Sequence, residues 1–244
     1  MTTLNSTTLV QQAIDRLTDS NPDCEFGLIL IGSVARRVET LRSDLDLLVI
    51  SELALTVPEL PEKLHIQSIS ESDFLEKLKA GDDFVAWCVR YGIPVVNSNV
   101  WTRIIESSST NTWPDWHHKV RHAARRLLLA WSLLETGDED AASEELLYSA
   151  SHLSRAILLK GNVFPLSRPE MIAQLEEIGY PKLAQLLKEL LFADSGPSIR
   201  LRRVALYLKR VLCWLDRDTY ADVALAYSRA KSSKRPEGLK TVSK

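Results

Sequence analysis

The chain has 244 residues, 45% of them hydrophobic and 25% charged, with a net charge of −2, the composition of an ordinary globular protein able to build a sizeable core. Three scattered cysteines (Cys24, Cys88, Cys213) show no metal-ligand spacing and exclude a disulfide scaffold. No apolar run approaches the roughly 20 residues needed to span a bilayer, and the first residues lack the pattern of a signal peptide, so a cytoplasmic location is expected.

In chain order, Val10, Ala13, Ile14 and Leu17 fall on one face and predict a helix over 8–19, broken by Asn21-Pro22-Asp23. Phe26 to Ile31 has the length of a strand. Gly32-Ser33 follows, and a short helical segment is expected to about Thr40. Leu45 to Ile50 predicts a second strand, Leu64 to Ile69 a third, and Gly92 to Asn97 a short fourth, with helices over 71–79 and 82–91 on either side of Gly81. The polar stretch Ser107 to Thr112 reads as a linker. Beyond it the pattern is helical throughout: about 114–137, 139–160, 169–178, 181–193, and one long helix over 199–229. The expected fold class is therefore α+β, a small mixed sheet flanked by helices (residues 1–106) followed by an all-α bundle (113–230), with a disordered basic tail over 231–244.

Charge is uneven along the chain. Residues 1–194 hold 18 Lys and Arg against 28 Asp and Glu, and residues 195–244 hold 12 against 4. On the last helix Arg202, Arg203, Lys209 and Arg210 lie opposite an apolar face. They are expected to meet the acidic first domain, a nucleic acid being the weaker alternative.

The chemistry concentrates in residues 28–50, "LILIGSVARRVETLRSDLDLLVI". Asp44 and Asp46 interrupt an apolar strand, where Asp is disfavoured and an unpaired carboxylate is costly to bury. Side chains alternate across a strand, so both carboxylates point to one side, with Cα atoms roughly 7 Å apart. Two converging carboxylates repel unless a proton or a cation intervenes. Mg²⁺, which takes one or two carboxylates together with phosphate oxygens, removes the conflict. Gly32 permits close approach of a phosphate to the backbone, and Ser33 adds a hydroxyl donor.

Gly32, Ser33, Ala35, Arg36, Ser43, Asp44 and Asp46 together resemble the signature of the nucleotidyltransferase superfamily related to DNA polymerase β, in particular its minimal and kanamycin nucleotidyltransferase-like members. The resemblance is sharp over about twenty residues, and Arg37 replaces the usual Gly. It implies a nucleotidyltransferase fold, Mg²⁺ or Mn²⁺ on Asp44 and Asp46, and an NTP, ATP favoured, held by Gly32, Ser33, Arg36 and Ser43. The implied reaction is nucleoside monophosphate transfer to a hydroxyl of a small molecule, a protein or an RNA end. Many members carry a third carboxylate on a later strand, and here Gln67 stands where it is expected. Members of the kanamycin type take their base from a helical-domain glutamate, for which Glu145, beside Glu144, is the candidate. The alternative is a catalytically weakened binding or regulatory module, antitoxin-like or nucleotide-sensing.

The helical half resembles bundles that bind an acceptor, a helical protein partner or a second copy of the chain. Its related RNases need an Arg before a His at a spacing absent here. Asp115, His118 and His122 share a helical face and suggest a zinc site, with incidental placement the commoner alternative. Trp113, Trp116 and Trp131 suit either a stacked base or sugar, or core packing.

Overall fold

The computed structural model describes residues 2–39, 44–53, 55–59, 63–107, 113–192 and 198–233. They fall into two compact units, Met1–Asp115 and Trp116–Lys244. Helix α1 (Thr2–Ser20) opens the first unit. Its Ala13 and Leu17 are fully buried, as the spacing of apolar residues predicts. Asn21, only 7% exposed, ends the helix and ties it to Thr56. Its side-chain amide donates to the carbonyls of Leu17 and Thr56 and accepts from the Thr56 N–H, each at 2.9 Å.

Strands β1 (Phe26–Ile31), β2 (Leu45–Ser51), β3 (Leu64–Ser70) and β4 (Ile93–Val96) make one mixed sheet in the order β3-β2-β1-β4. β1 pairs antiparallel with β2 and β4, while β2 and β3 run parallel. The parallel pair needs a crossover, which uses residues 52–63. Alternation on β2 sends Leu45, Leu47 and Val49 into one cluster with Leu28, Ala13 and Leu17. Leu48 and Ile50 are buried on the opposite face, the face that also carries Asp46.

Helices α2 (Gly32–Ala35), α3 (Glu71–Lys79), α4 (Asp83–Tyr91) and α5 (Ser98–Ser107) complete the unit. α2 is shorter than expected: the chain leaves the helix at Arg36 instead of continuing toward Thr40. α5, absent from the sequence-based expectation, places Val100, Trp101 and Ile104 in the core. The edge of Trp101 meets the ring of Phe74 at 6.1 Å.

The second unit holds α6 (Trp116–Thr136), α7 (Glu139–Lys160), α8 (Arg168–Glu177), α9 (Pro181–Phe192), α10 (Ser198–Leu215) and α11 (Arg217–Ser233). α7 is buried on most of its circumference. Ala123, Ala124 and Ala130 on α6 share a core with Ala142, Ala150 and Ala156 on α7. Ser149, fully buried, satisfies its hydroxyl by donating to the Ala123 carbonyl at 2.9 Å.

The single long helix expected over 199–229 is two helices. Asp216 ends α10 and caps α11, its carboxylate accepting from the Thr219 N–H at 3.0 Å. The apolar periodicity runs through the junction and hides it. Of the tail expected over 231–244, residues 231–233 continue α11 and 234–244 lie outside the described residues. Among the described residues no helix is long and apolar enough to cross a membrane.

Candidate active site

β1 and β2 position the motif. Their antiparallel register sets Asp46 opposite Ile31, the residue before Gly32. Gly32 has φ +75°, and a Cβ on it would collide with the Asp46 carboxylate. Both the left-handed backbone and the close approach require glycine here. Over the next residues the chain turns tightly, the Arg37 N–H donating to the Val34 carbonyl and the Val38 N–H to the Ser33 carbonyl, each at 3.1 Å. Arg37 closes the turn with φ +59°, in the left-handed region. The departure from glycine noted in the sequence therefore falls where the backbone favours glycine.

Arg36, expected on phosphate, lays its guanidinium 4.7 Å from the centre of the Tyr91 ring on α4. That stacking ties the turn to α4. Ser33 is half-buried in the turn. Ser43 lies outside the described residues.

Asp44 is exposed and Asp46 half-buried. Burial pushes the Asp46 carboxyl above the usual carboxylate range; the charge of His65 pulls it down, and that of Asp44 raises it further. The physical conflict read from the sequence is thus present: one carboxylate leaves water beside another. His65 is the neighbour the sequence did not reveal. The parallel register pairs Asp46 with His65 and Leu48 with Gln67. The side chain beside Asp46 on β3 is accordingly imidazole. Gln67 sits one pleat further along, opposite Leu48. His65 Nε2 lies 3.5 Å from Asp44 Oδ2. Only the register could have found it, because residues 46 and 65 meet through a parallel pairing that no local pattern encodes.

The donor set of two carboxylates and a bare glycine backbone suits a hard divalent cation and its phosphate ligand. Among the described residues no group of three or more His, Cys, Asp or Glu side chains stands ready to hold a metal ion. The zinc reading of Asp115, His118 and His122 is thereby corrected. The His122 ring stacks instead on His152, with centroids 5.2 Å apart.

Glu145, the candidate base, lies on α7 in the second unit. Both its oxygens accept from Arg126 Nη1, at 2.9 and 3.1 Å. This ion pair bridges α6 and α7. The tryptophans are likewise engaged in packing. Trp116 stacks on His117 and beneath Lys160, Trp131 packs against the bundle core, and Arg90 lies 6.0 Å from the centre of the Trp113 ring. On α10, Arg202 donates to the Leu134 carbonyl and Lys209 approaches the Tyr220 ring, so two of the four basic residues find partners within their own unit.

No protein-family model matches the chain, and no curated protein matches it. Among solved structures it is similar to the crystal structure of a nucleotidyltransferase-like protein from Exiguobacterium sibiricum 255-15, at 17% identity and a TM-score of 0.46, over 94% of this chain and 82% of that one. A likeness at that level carries no residue or chemistry from one chain to the other.

Proposed function

We propose that the chain is a metal-dependent nucleotidyltransferase that moves a nucleoside monophosphate from an NTP, ATP in the first instance, to a hydroxyl of an acceptor. One observation carries the reading: the β1–β2 register brings the Gly32 backbone against the Asp46 carboxylate, with Asp44 on the same side of β2.

In this reading Asp44 and Asp46 hold Mg²⁺ or Mn²⁺, whose chemistry, when bound, is to neutralise charge on the phosphoryl oxygens and on the leaving pyrophosphate. Gly32 lets the turn pass against the Asp46 carboxylate, and the Ser33 hydroxyl donates to the triphosphate. Arg36, anchored on Tyr91, keeps that turn in place. The acceptor oxygen bonds to the α-phosphorus as the bond to the pyrophosphate oxygen breaks. The acceptor proton leaves to a base or to water.

A second reading, a nucleotide-binding module without transfer, is favoured by β3, which pairs His65 and Gln67, and no carboxylate, with β2. The two separate on transfer of label from α-labelled NTPs to protein, tRNA and aminoglycoside acceptors, with and without Mg²⁺ or Mn²⁺. The enzyme reading expects metal-dependent transfer that Asp44→Asn/Asp46→Asn abolishes. Metal-dependent NTP binding without transfer to any acceptor supports the module, and no NTP binding overturns both. Glu145→Gln in the same assay is expected to keep transfer within a few-fold of wild type, because its carboxylate is engaged by Arg126. A loss above 100-fold would restore it as the base.

A further inference from the structure

The proposed reaction makes no use of the outward face of α10. This helix carries five Lys and Arg and no Asp or Glu. Its inner face, with Leu201, Leu208 and Leu212, is buried in the bundle core, which holds the opposite face toward solvent. On that face Ile199, Arg203, Leu206, Arg210 and Trp214 follow one another at intervals of three or four residues, a single line along the helix. The three apolar side chains of the line are 65%, 46% and 66% exposed. The Trp214 ring is tilted against Tyr180, with centroids 6.2 Å apart. The flanking cations have partners: Arg200 pairs with Glu189, Arg202 donates to the Leu134 carbonyl, and Lys209 approaches the Tyr220 ring. Among the described residues no carboxylate pairs with Arg203 or Arg210, both of them exposed.

We infer that this line of side chains docks the chain on an anionic lipid surface, with α10 lying in the plane of the interface. The inference is independent of the aspartate pair. Its basis is that one occupant satisfies both kinds of side chain at once. Arg203 and Arg210 meet lipid phosphates, Ile199 and Leu206 reach the acyl boundary, and Trp214 sits at headgroup level. Other occupants satisfy only part of the line. A nucleic acid offers phosphate to the arginines but leaves Ile199 and Leu206 in water. A second copy using the same face sets Arg203 and Arg210 against their own kind, and α10 has no acid to neutralise them. A stable protein interface covers roughly 800 Å² on each partner. A line about 22 Å long and about 10 Å wide offers about 220 Å², whereas partition onto a membrane gains from each apolar and each basic residue separately.

The test is co-sedimentation of the full chain with unilamellar vesicles of phosphatidylcholine, alone or mixed with phosphatidylglycerol. Wild type is expected to partition at least about tenfold more strongly onto the mixed vesicles, and raised salt should weaken that binding. Tryptophan emission should shift to the blue on binding, and Trp214→Phe should remove most of the shift. Arg203→Glu/Arg210→Glu should weaken partition at least about tenfold. Leu206→Ser/Trp214→Ala should weaken it at least about fivefold with both arginines in place. All four positions are exposed, and thermal melts matching wild type would show that the fold is kept. Absence of vesicle binding, or binding that either double variant leaves unchanged, would overturn the inference. So would binding to poly(U) RNA, in place of vesicles, that Arg203→Glu/Arg210→Glu abolishes, which would make the face a nucleic-acid surface. A concentration-dependent dimer in sedimentation velocity that Leu206→Ser/Trp214→Ala dissociates would overturn it in favour of a second copy.

Discussion

Asp46 shows at the scale of one residue how a site is built against stability. Its carboxyl titrates higher in the folded chain than in the unfolded one, chiefly because it is buried. The folded state therefore holds the proton more tightly. The residue costs least at acidic pH, and stability is lost as pH rises through its raised folded value. Asp46→Asn is expected to melt higher than wild type at pH 7, with a gap that closes as pH falls through the carboxylate range. A gap independent of pH would show that charge is not its cause. Arg37 makes the second residue-scale prediction. A non-glycine residue at φ +59° carries a backbone cost of about 1 kcal/mol, part of which glycine returns through its larger unfolded-state entropy. Arg37→Gly should stabilise the chain by up to about 1 kcal/mol in denaturant melts, and destabilisation would show that the Arg37 side chain outweighs its backbone.

Among the elements, the junction of α10 and α11 has the clearest local cause. Asp216 is a capping carboxylate whose hydrogen bond from Thr219 starts the second helix. Burial works against its charge, but hydrogen bonds from Thr219 and the positive charges of His117 and Lys160 together hold it below the usual carboxylate range. Its contribution is present at neutral pH and is lost in acid, as pH falls through that lowered value. Asp216→Ala should cost about 1 kcal/mol at pH 7 and progressively less in acid, read from the pH dependence of unfolding. The signal for this cap, an Asp three residues before the Thr that donates to it, was present in the sequence. A continuous apolar face covered it, because helix periodicity reports burial and not the backbone break between two helices packed on the same core.

For the molecule as a whole, two cores are built by different rules. One is a mixed sheet packed on α1 through alternating strand residues, and the other a bundle around α7, rich in alanine and serine. The proposed ligand belongs to the first of them, and binding the folded state alone stabilises it by mass action. With Mn²⁺ and ATP at about 100 times the dissociation constant, the chain should gain about 2.7 kcal/mol, seen as a rise in melting temperature. Asp44→Asn/Asp46→Asn should show none of that rise. A rise retained in the double variant would place nucleotide binding away from β2.

The sequence by itself determined the local chemistry. The alternation of β2, the Gly32-Ser33 turn and the paired aspartates are all short-range, so period and spacing suffice to read them. It also determined most helices, because each buries one face at a regular spacing. Only the tertiary structure decided which side chains meet. His65 and Gln67 lie on the same strand and are equally plausible neighbours of Asp46 until the parallel register sets imidazole beside it and glutamine one pleat away. Arg36 and Glu145 read as functional from their motif or position, yet Tyr91 and Arg126 engage them. A partner's identity depends on distances between segments far apart in the chain, and those are set by how sheet and helices pack.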